Sequence, residues 1–141
     1  MLPPRQTDKV MENKQLIDNV EKNIHWTWRD PAAWEYDKTD LTDDVAWNDL
    51  DISAIVGAKK MLVSFLVVVR DGVAGSYVLI KTKGQTNSIN RGTVYTQVNN
   101  VLNAAMFDVE TDASGIIEIQ CVPKPTDWTD IVIAIRGYKE A

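Results

Sequence analysis

The stretch Met61-Leu62-Val63-Ser64-Phe65-Leu66-Val67-Val68-Val69 is apolar at every position except Ser64. Its length suits a strand and falls well short of the roughly 18 residues that a membrane-spanning helix needs. Because apolar side chains occupy both faces, we expect a central strand that is covered on two sides. The turn residues Arg70-Asp71-Gly72 end it.

Shorter strand patterns surround this run from Val45 onward. Ile117, Ile119 and Cys121 alternate with polar residues, which predicts a strand with one buried face. Turn signals recur about every 10 to 15 residues, which leaves no room for the crossover helices of a parallel sheet. Roughly seven or eight short strands therefore predict an all-β fold: an antiparallel β-sandwich of jelly-roll or Greek-key type, preceded by a short N-terminal helix or arm.

Size and composition fit one soluble globular domain, since the chain has 141 residues, of which 45% are hydrophobic and 25% are charged. The N-terminal residues 1–6 lack the apolar stretch of a secretory signal, so we expect no signal peptide. The single cysteine, Cys121, excludes an internal disulfide. Its apolar strand predicts a small buried hydrophobe rather than a reactive thiol.

Negative charge is concentrated in one part of the chain. The net charge is −5, and residues 30–51 hold eight acids and one base. With no basic stripe and no polybasic patch, we expect neither a nucleic-acid partner nor insertion into a membrane. Asp37, Asp40, Asp43 and Asp44 form a loop-like cluster whose oxygens suit a calcium ion. Their spacing is not that of an EF-hand, so a solvated connector is the preferred interpretation and calcium binding stays open.

The first 25 residues carry a heptad pattern. Apolar residues recur every seven positions, with a second seam between them, and the predicted oligomerisation residues are Val10, Asn13, Ile17, Val20 and Ile24. This spacing predicts a helix that pairs with copies of itself. The alternative is a single amphipathic helix that packs on its own domain. We divide the chain into this helical segment (1–25), a Trp- and Asp-rich connector (26–44) and a β-sandwich body (45–141).

Aromatic residues cluster in the connector. Trp26, Trp28, Trp34 and Tyr36 lie close together beside Asp and Arg. Aromatic faces next to planar polar groups are typical of sugar-binding surfaces, because pyranose C–H groups stack on the rings. These four residues are therefore candidate ligand-binding residues. The alternative is that they pack the connector against the body or against a neighbouring subunit.

Catalytic chemistry finds little support in the sequence. His25 is the one histidine, and at the end of the predicted helix it favours a structural role. The glycines fall in turns and match no phosphate-binding loop. We predict that the protein is not an enzyme and has no catalytic residue, no metal site and no cofactor. A pair of carboxylates for glycoside hydrolysis stays an alternative that rests only on the abundance of acids.

Two segments give the body a family likeness. Trp47-Asn48-Asp49-Leu50-Asp51-Ile52-Ser53, followed by the long apolar strand, resembles the start of small β-sandwich domains in tail-fibre and other virion-surface proteins of bacteriophages and prophages. Residues 128–133, closing with Gly137-Tyr138, are similar to the final strand of those domains. The likeness spans residues 45–138. It implies a non-enzymatic sandwich in a homotrimer, which builds a particle or adheres to a host surface, and it transfers no receptor-contact residue.

These observations favour a homo-oligomeric structural or recognition protein that is virion- or tail-associated and mediates assembly or surface attachment. Its expected partners are copies of itself and a glycan or host-surface receptor. The expected location is the virion, or the host cytoplasm during assembly. A carbohydrate-binding module that uses the Trp-rich segment is the alternative.

Overall fold

The structure, a computed structural model, describes residues 13, 14, 16 and 25–141. Within these residues, nine strands form two antiparallel sheets, which confirms the predicted all-β sandwich. The strands are β1 (Thr27–Trp28), β2 (Tyr36–Asp37), β3 (Asn48–Asp51), β4 (Met61–Arg70), β5 (Tyr77–Thr82), β6 (Arg91–Tyr95), β7 (Asn103–Glu110), β8 (Ile116–Val122) and β9 (Asp130–Glu140). One α-helical turn (Ser53–Val56) and two 3₁₀ turns (Lys38–Asp40 and Pro125–Asp127) lie in the connections.

The strand order is that of a jelly roll. One sheet has the order β1-β9-β4-β7, with β2 also paired to β9, and the other has the order β3-β8-β5-β6. Because β4 occupies the whole of one edge of β9, β1 and β2 share its other edge and together fill one strand position. Pairs are then nested from the chain ends inward, as β1/β2 with β9, β3 with β8, β4 with β7, and β5 with β6. A long ribbon folded once and rolled into two sheets has this pairing.

Residues 26–44, predicted as a connector, lie on the sandwich. β1 and β2 extend the five-stranded sheet, and Leu41 is buried in the core. The 3₁₀ turn that follows β2 is capped by the carboxylate of Asp37, which accepts from the backbone N–H of Thr39 at 2.8 Å. The Trp- and Asp-rich segment is thus part of the folded body.

The core lies between the facing sides of the two sheets. On β4 the inward side chains Val63, Phe65, Val67 and Val69 have no exposed surface. The same core includes branched residues of β5 and β8 in the opposite sheet and of the neighbouring strand β9. Cys121 is among them, and burial raises the pKa of its thiol to about 12. The core therefore takes up one face of β4, while the other face points away from the second sheet.

Candidate functional site

The outer face of the five-stranded sheet carries an apolar band. In the strand register, Val132, Val68 and Ala104 lie side by side, and Ala134, Leu66 and Met106 form the next row. We call these six residues, together with Trp34, the outer apolar face. Met106 is 63% exposed, and Leu66 and Val68 are half-buried. The sequence predicts that β4 is covered on both faces. Within the described residues, the second sheet covers its inner face, and its outer face stays partly exposed.

Charged and polar residues bound this band at both ends. On one side, Arg70 pairs with Asp130 at 2.7 Å. On the other side, the Nη1 atom of Arg136 lies 3.4 Å from the hydroxyl of Ser64. Arg136 is the extra residue of a β-bulge, because Phe65 pairs with Ile135 and Ser64 pairs with Gly137. An apolar centre within a polar rim is the anatomy of a protein–protein interface.

A loop over residues 30–34 leaves the sheet edge between β1 and β2, and two side chains close its base. Nη1 of Arg29 donates to the Ile135 carbonyl at 2.9 Å, and Oε2 of Glu35 accepts from the Ile135 N–H at 3.0 Å. Arg29 and Glu35 also form an ion pair with each other. The two side chains thus bond the N–H and the carbonyl of Ile135 on the edge of β9 that faces away from β4. Neither β1 nor β2 pairs with Ile135 there, and backbone groups without a strand partner need another polar partner.

The same loop adds a groove to the outer apolar face. Residues 31–34, Leu66 and Ala134 line a depression of about 360 Å³. Trp34 stands beside it with 45% of its surface exposed. A tryptophan next to an apolar sheet face is the kind of residue that dominates the binding energy of an interface.

The four aromatic residues singled out in the sequence comprise a stacked pair and two residues with other surroundings. Trp26 and Trp28 stack on each other with ring centroids 5.1 Å apart. The guanidinium of Arg136 lies 5.5 Å from the Trp28 ring, and the ammonium of Lys139 lies 5.4 Å from the Trp26 ring. These two rings are therefore engaged with each other and with two cations.

The other two aromatic residues have different surroundings. Trp34 lines the groove. Tyr36 points inward and packs against the core, and its burial, together with the nearby carboxylate of Glu35, raises its pKa. Tyr36 thus contributes to packing rather than to an exposed ligand surface.

Four of the five predicted oligomerisation residues, Val10, Ile17, Val20 and Ile24, lie outside the described residues. Asn13 is described, and it is helical and exposed, as is Leu16. Self-association through this seam stays a prediction. His25, the histidine at the end of the predicted helix, is exposed.

The acids of the connector make separate local contacts. Asp43 accepts from the N–H and the hydroxyl of Thr126, at 3.0 and 2.9 Å. Asp44 accepts from the side-chain amide of Asn48 at 2.7 Å. Asp40 completes the capping box of the 3₁₀ turn with Asp37. Across residues 25–141, no three His, Cys, Asp or Glu side chains gather in a way that could hold a metal ion.

These carboxylates make stability depend on pH. Hydrogen bonds from Thr39, Thr126 and Ser53 lower the pKa of Asp37, Asp43 and Asp51, respectively. A carboxyl whose pKa is lowered on folding stabilises the fold above its unfolded pKa, near 3.9, and loses that contribution as pH falls toward its folded pKa. We expect the free energy of unfolding, measured in urea, to decrease as pH is lowered from about 5 to 3. Thr126→Val, which removes one donor to Asp43, should flatten this dependence, and an equally steep curve in that variant would contradict the assignment.

No helix in the described part of the chain has the length and apolar character needed to cross a membrane.

Comparison with known proteins gives one structural likeness. No protein-family model and no curated protein sequence matches the chain. Among solved structures, the coat protein dimer of Tobacco streak virus is similar at 14% identity, over 83% of this chain and 85% of that chain, with a TM-score of 0.36. A likeness at this level says nothing about function.

Proposed function

We propose that this protein is a non-enzymatic structural protein whose jelly-roll bodies assemble with one another through the outer apolar face, as a component of a virion or its tail. The observation that carries the proposal is the outer apolar face itself. An exposed apolar band with a polar rim and an exposed tryptophan beside it has the anatomy of a protein–protein interface.

The size of the face indicates how it is used. Three strands about 4.8 Å apart and two rows about 6.8 Å apart give a band of about 200 Å², whereas a stable interface buries about 800 Å² on each partner. The Trp34 loop and the polar rim therefore have to contribute. We propose that the first 25 residues, through their heptad pattern, add a further contact between the chains of a homotrimer.

A role in a particle is supported by two observations. The body resembles domains of phage tail-fibre and virion-surface proteins, and the jelly roll is a fold that viral capsid proteins use repeatedly. Fold alone does not determine function, so the proposal depends on assembly. The alternative, a carbohydrate-binding module built on the Trp-rich segment, has less support, because Trp26 and Trp28 face each other and Tyr36 packs inward.

Light scattering after size exclusion tests the proposal on the full chain. We expect a mass that is a multiple of the 15.8 kDa chain, three for the predicted trimer. Met106→Glu places a charge in the outer apolar face and should weaken association at least 100-fold, since leaving an uncompensated charge in an interface costs several kcal/mol.

The matched control is Val73→Glu, because Val73 is similarly exposed, at 58%, but lies between β4 and β5. It should assemble like the wild type. A monomeric wild type at about 100 μM, well above the dissociation constants of stable oligomers, would overturn the proposal. Equal masses for the Met106 and Val73 variants would show that a different surface holds the oligomer.

A further inference from the structure

A second, more polar cavity lies along the edge of β7 that does not pair with β4. The connection between β5 and β6 passes in front of this edge, and the space between them is about 400 Å³. Pockets of 300 to 1,000 Å³ are typical of small-molecule sites. The cavity shares no residue with the outer apolar face.

Several contacts fix the shape of this cavity. The hydroxyl of Thr82 donates to the Glu110 carbonyl at 2.8 Å, which ties the end of β5 to β7. The Lys81 ammonium donates to the Gln85 carbonyl at 2.9 Å, and the Gln85 amide donates to the Asn90 carbonyl at 2.7 Å. The loop is thus tied to its own ends, so the cavity exists before any ligand arrives.

Some of the polar side chains that line the cavity have unused hydrogen-bond donors and acceptors. Within residues 25–141, the side chains of Arg91, Asn90 and Asp108 make no hydrogen bond or ion pair. Glu110 has Lys60 as its partner at 3.4 Å. An unpaired guanidinium, amide and carboxylate offer donors and acceptors together, as the hydroxyl groups of a ligand require.

The remaining lining is apolar and the total charge is balanced. Leu62, Phe107 and Ile89 provide apolar surface. Two carboxylates, one guanidinium and the Lys60 ammonium leave no net positive charge to attract a phosphate or another anion.

We propose that this cavity binds a neutral saccharide. Apolar surface suits the C–H face of a sugar ring, while Arg91, Asn90 and Asp108 suit its hydroxyl groups. This site shares no residue with the outer apolar face, although Asp108 pairs with Ser64 of its rim, and it would add recognition of a glycan to the proposed structural role.

Nuclear magnetic resonance of the ¹⁵N-labelled full chain tests the site. The probes are N-acetylglucosamine, galactose, lactose and maltose, each added up to about 20 mM, which detects millimolar dissociation constants. With at least one sugar, we expect shifts confined to the amides of residues 82–92 and 107–110. Asp108→Ala should weaken binding of that sugar at least tenfold, because it removes a charged acceptor.

Asp127→Ala is the matched control, since Asp127 is an exposed aspartate outside the cavity. It should bind like the wild type. Absence of shifts with all four sugars, shifts centred elsewhere, or equal affinities of the Asp108 and Asp127 variants would overturn the proposal. The mass from light scattering is measured on the same samples, so failure of the saccharide site and failure of the assembly proposal are distinguished.

Discussion

Replacing Trp128 with alanine is expected to lower the free energy of unfolding by about 3 to 5 kcal/mol, the range for removing a large buried aromatic side chain. Trp128 is 1% exposed and is among the largest fully buried side chains. Its Nε1 donates to the Pro123 carbonyl at 2.7 Å, so alanine would also leave that carbonyl without a donor. The lost packing and the lost hydrogen bond both lower the free energy of unfolding.

Two further variants make the Trp128 measurement specific. Trp128→Phe keeps most of the ring volume and loses the hydrogen bond, and it should cost about 1 to 2 kcal/mol. Val73→Ala truncates an exposed side chain and should change the free energy of unfolding by less than about 0.5 kcal/mol. Urea unfolding followed by circular dichroism gives all three values. A cost below about 1 kcal/mol for Trp128→Ala would show that the site is not packed as described.

The burial of Trp128 also shows how far the sequence could be interpreted. Its neighbours Asp127 and Thr129 are polar and carry no apolar period, yet the ring of Trp128, which follows the 3₁₀ turn, is buried. The fold class was predictable, because β4 is a continuous apolar run and β8 alternates apolar with polar residues. The two-residue strands β1 and β2 were not, because two residues carry no period and their pairing depends on β9, about a hundred residues away.

The candidate site was predictable only in part. The two-sided apolar pattern of β4 did indicate that Leu66 and Val68 need a cover. Their neighbours Ala104 and Met106 were not identified, because only the strand register shows which residues of β7 share their face. The contacts of Trp26 and Trp28 with cations could not be predicted from the sequence either, since Arg136 and Lys139 lie near the opposite end of the chain.

Substitution of Gly92, on β6, is the second change for which we expect a large loss of stability. A Cβ atom built on Gly92 would lie 2.0 Å from Cδ2 of the Phe107 ring, far closer than any real contact. The ring cannot move freely, because its other neighbour is the buried Phe65, with centroids 6.1 Å apart. We expect Gly92→Ala to lower the free energy of unfolding by about 3 kcal/mol, at the upper end of the usual cost of overpacking.

The control and the double variant separate this clash from a general effect of removing a glycine. At Gly72 the nearest atom to an added Cβ is 3.9 Å away, so Gly72→Ala should change stability by less than about 0.5 kcal/mol. Phe107→Leu destabilises the wild type through lost packing, but it also removes the ring atoms that meet the new methyl group. In the Gly92→Ala background, Phe107→Leu should therefore cost at least about 1 kcal/mol less than it does alone, and additive costs would mean that Gly92 does not accommodate this ring.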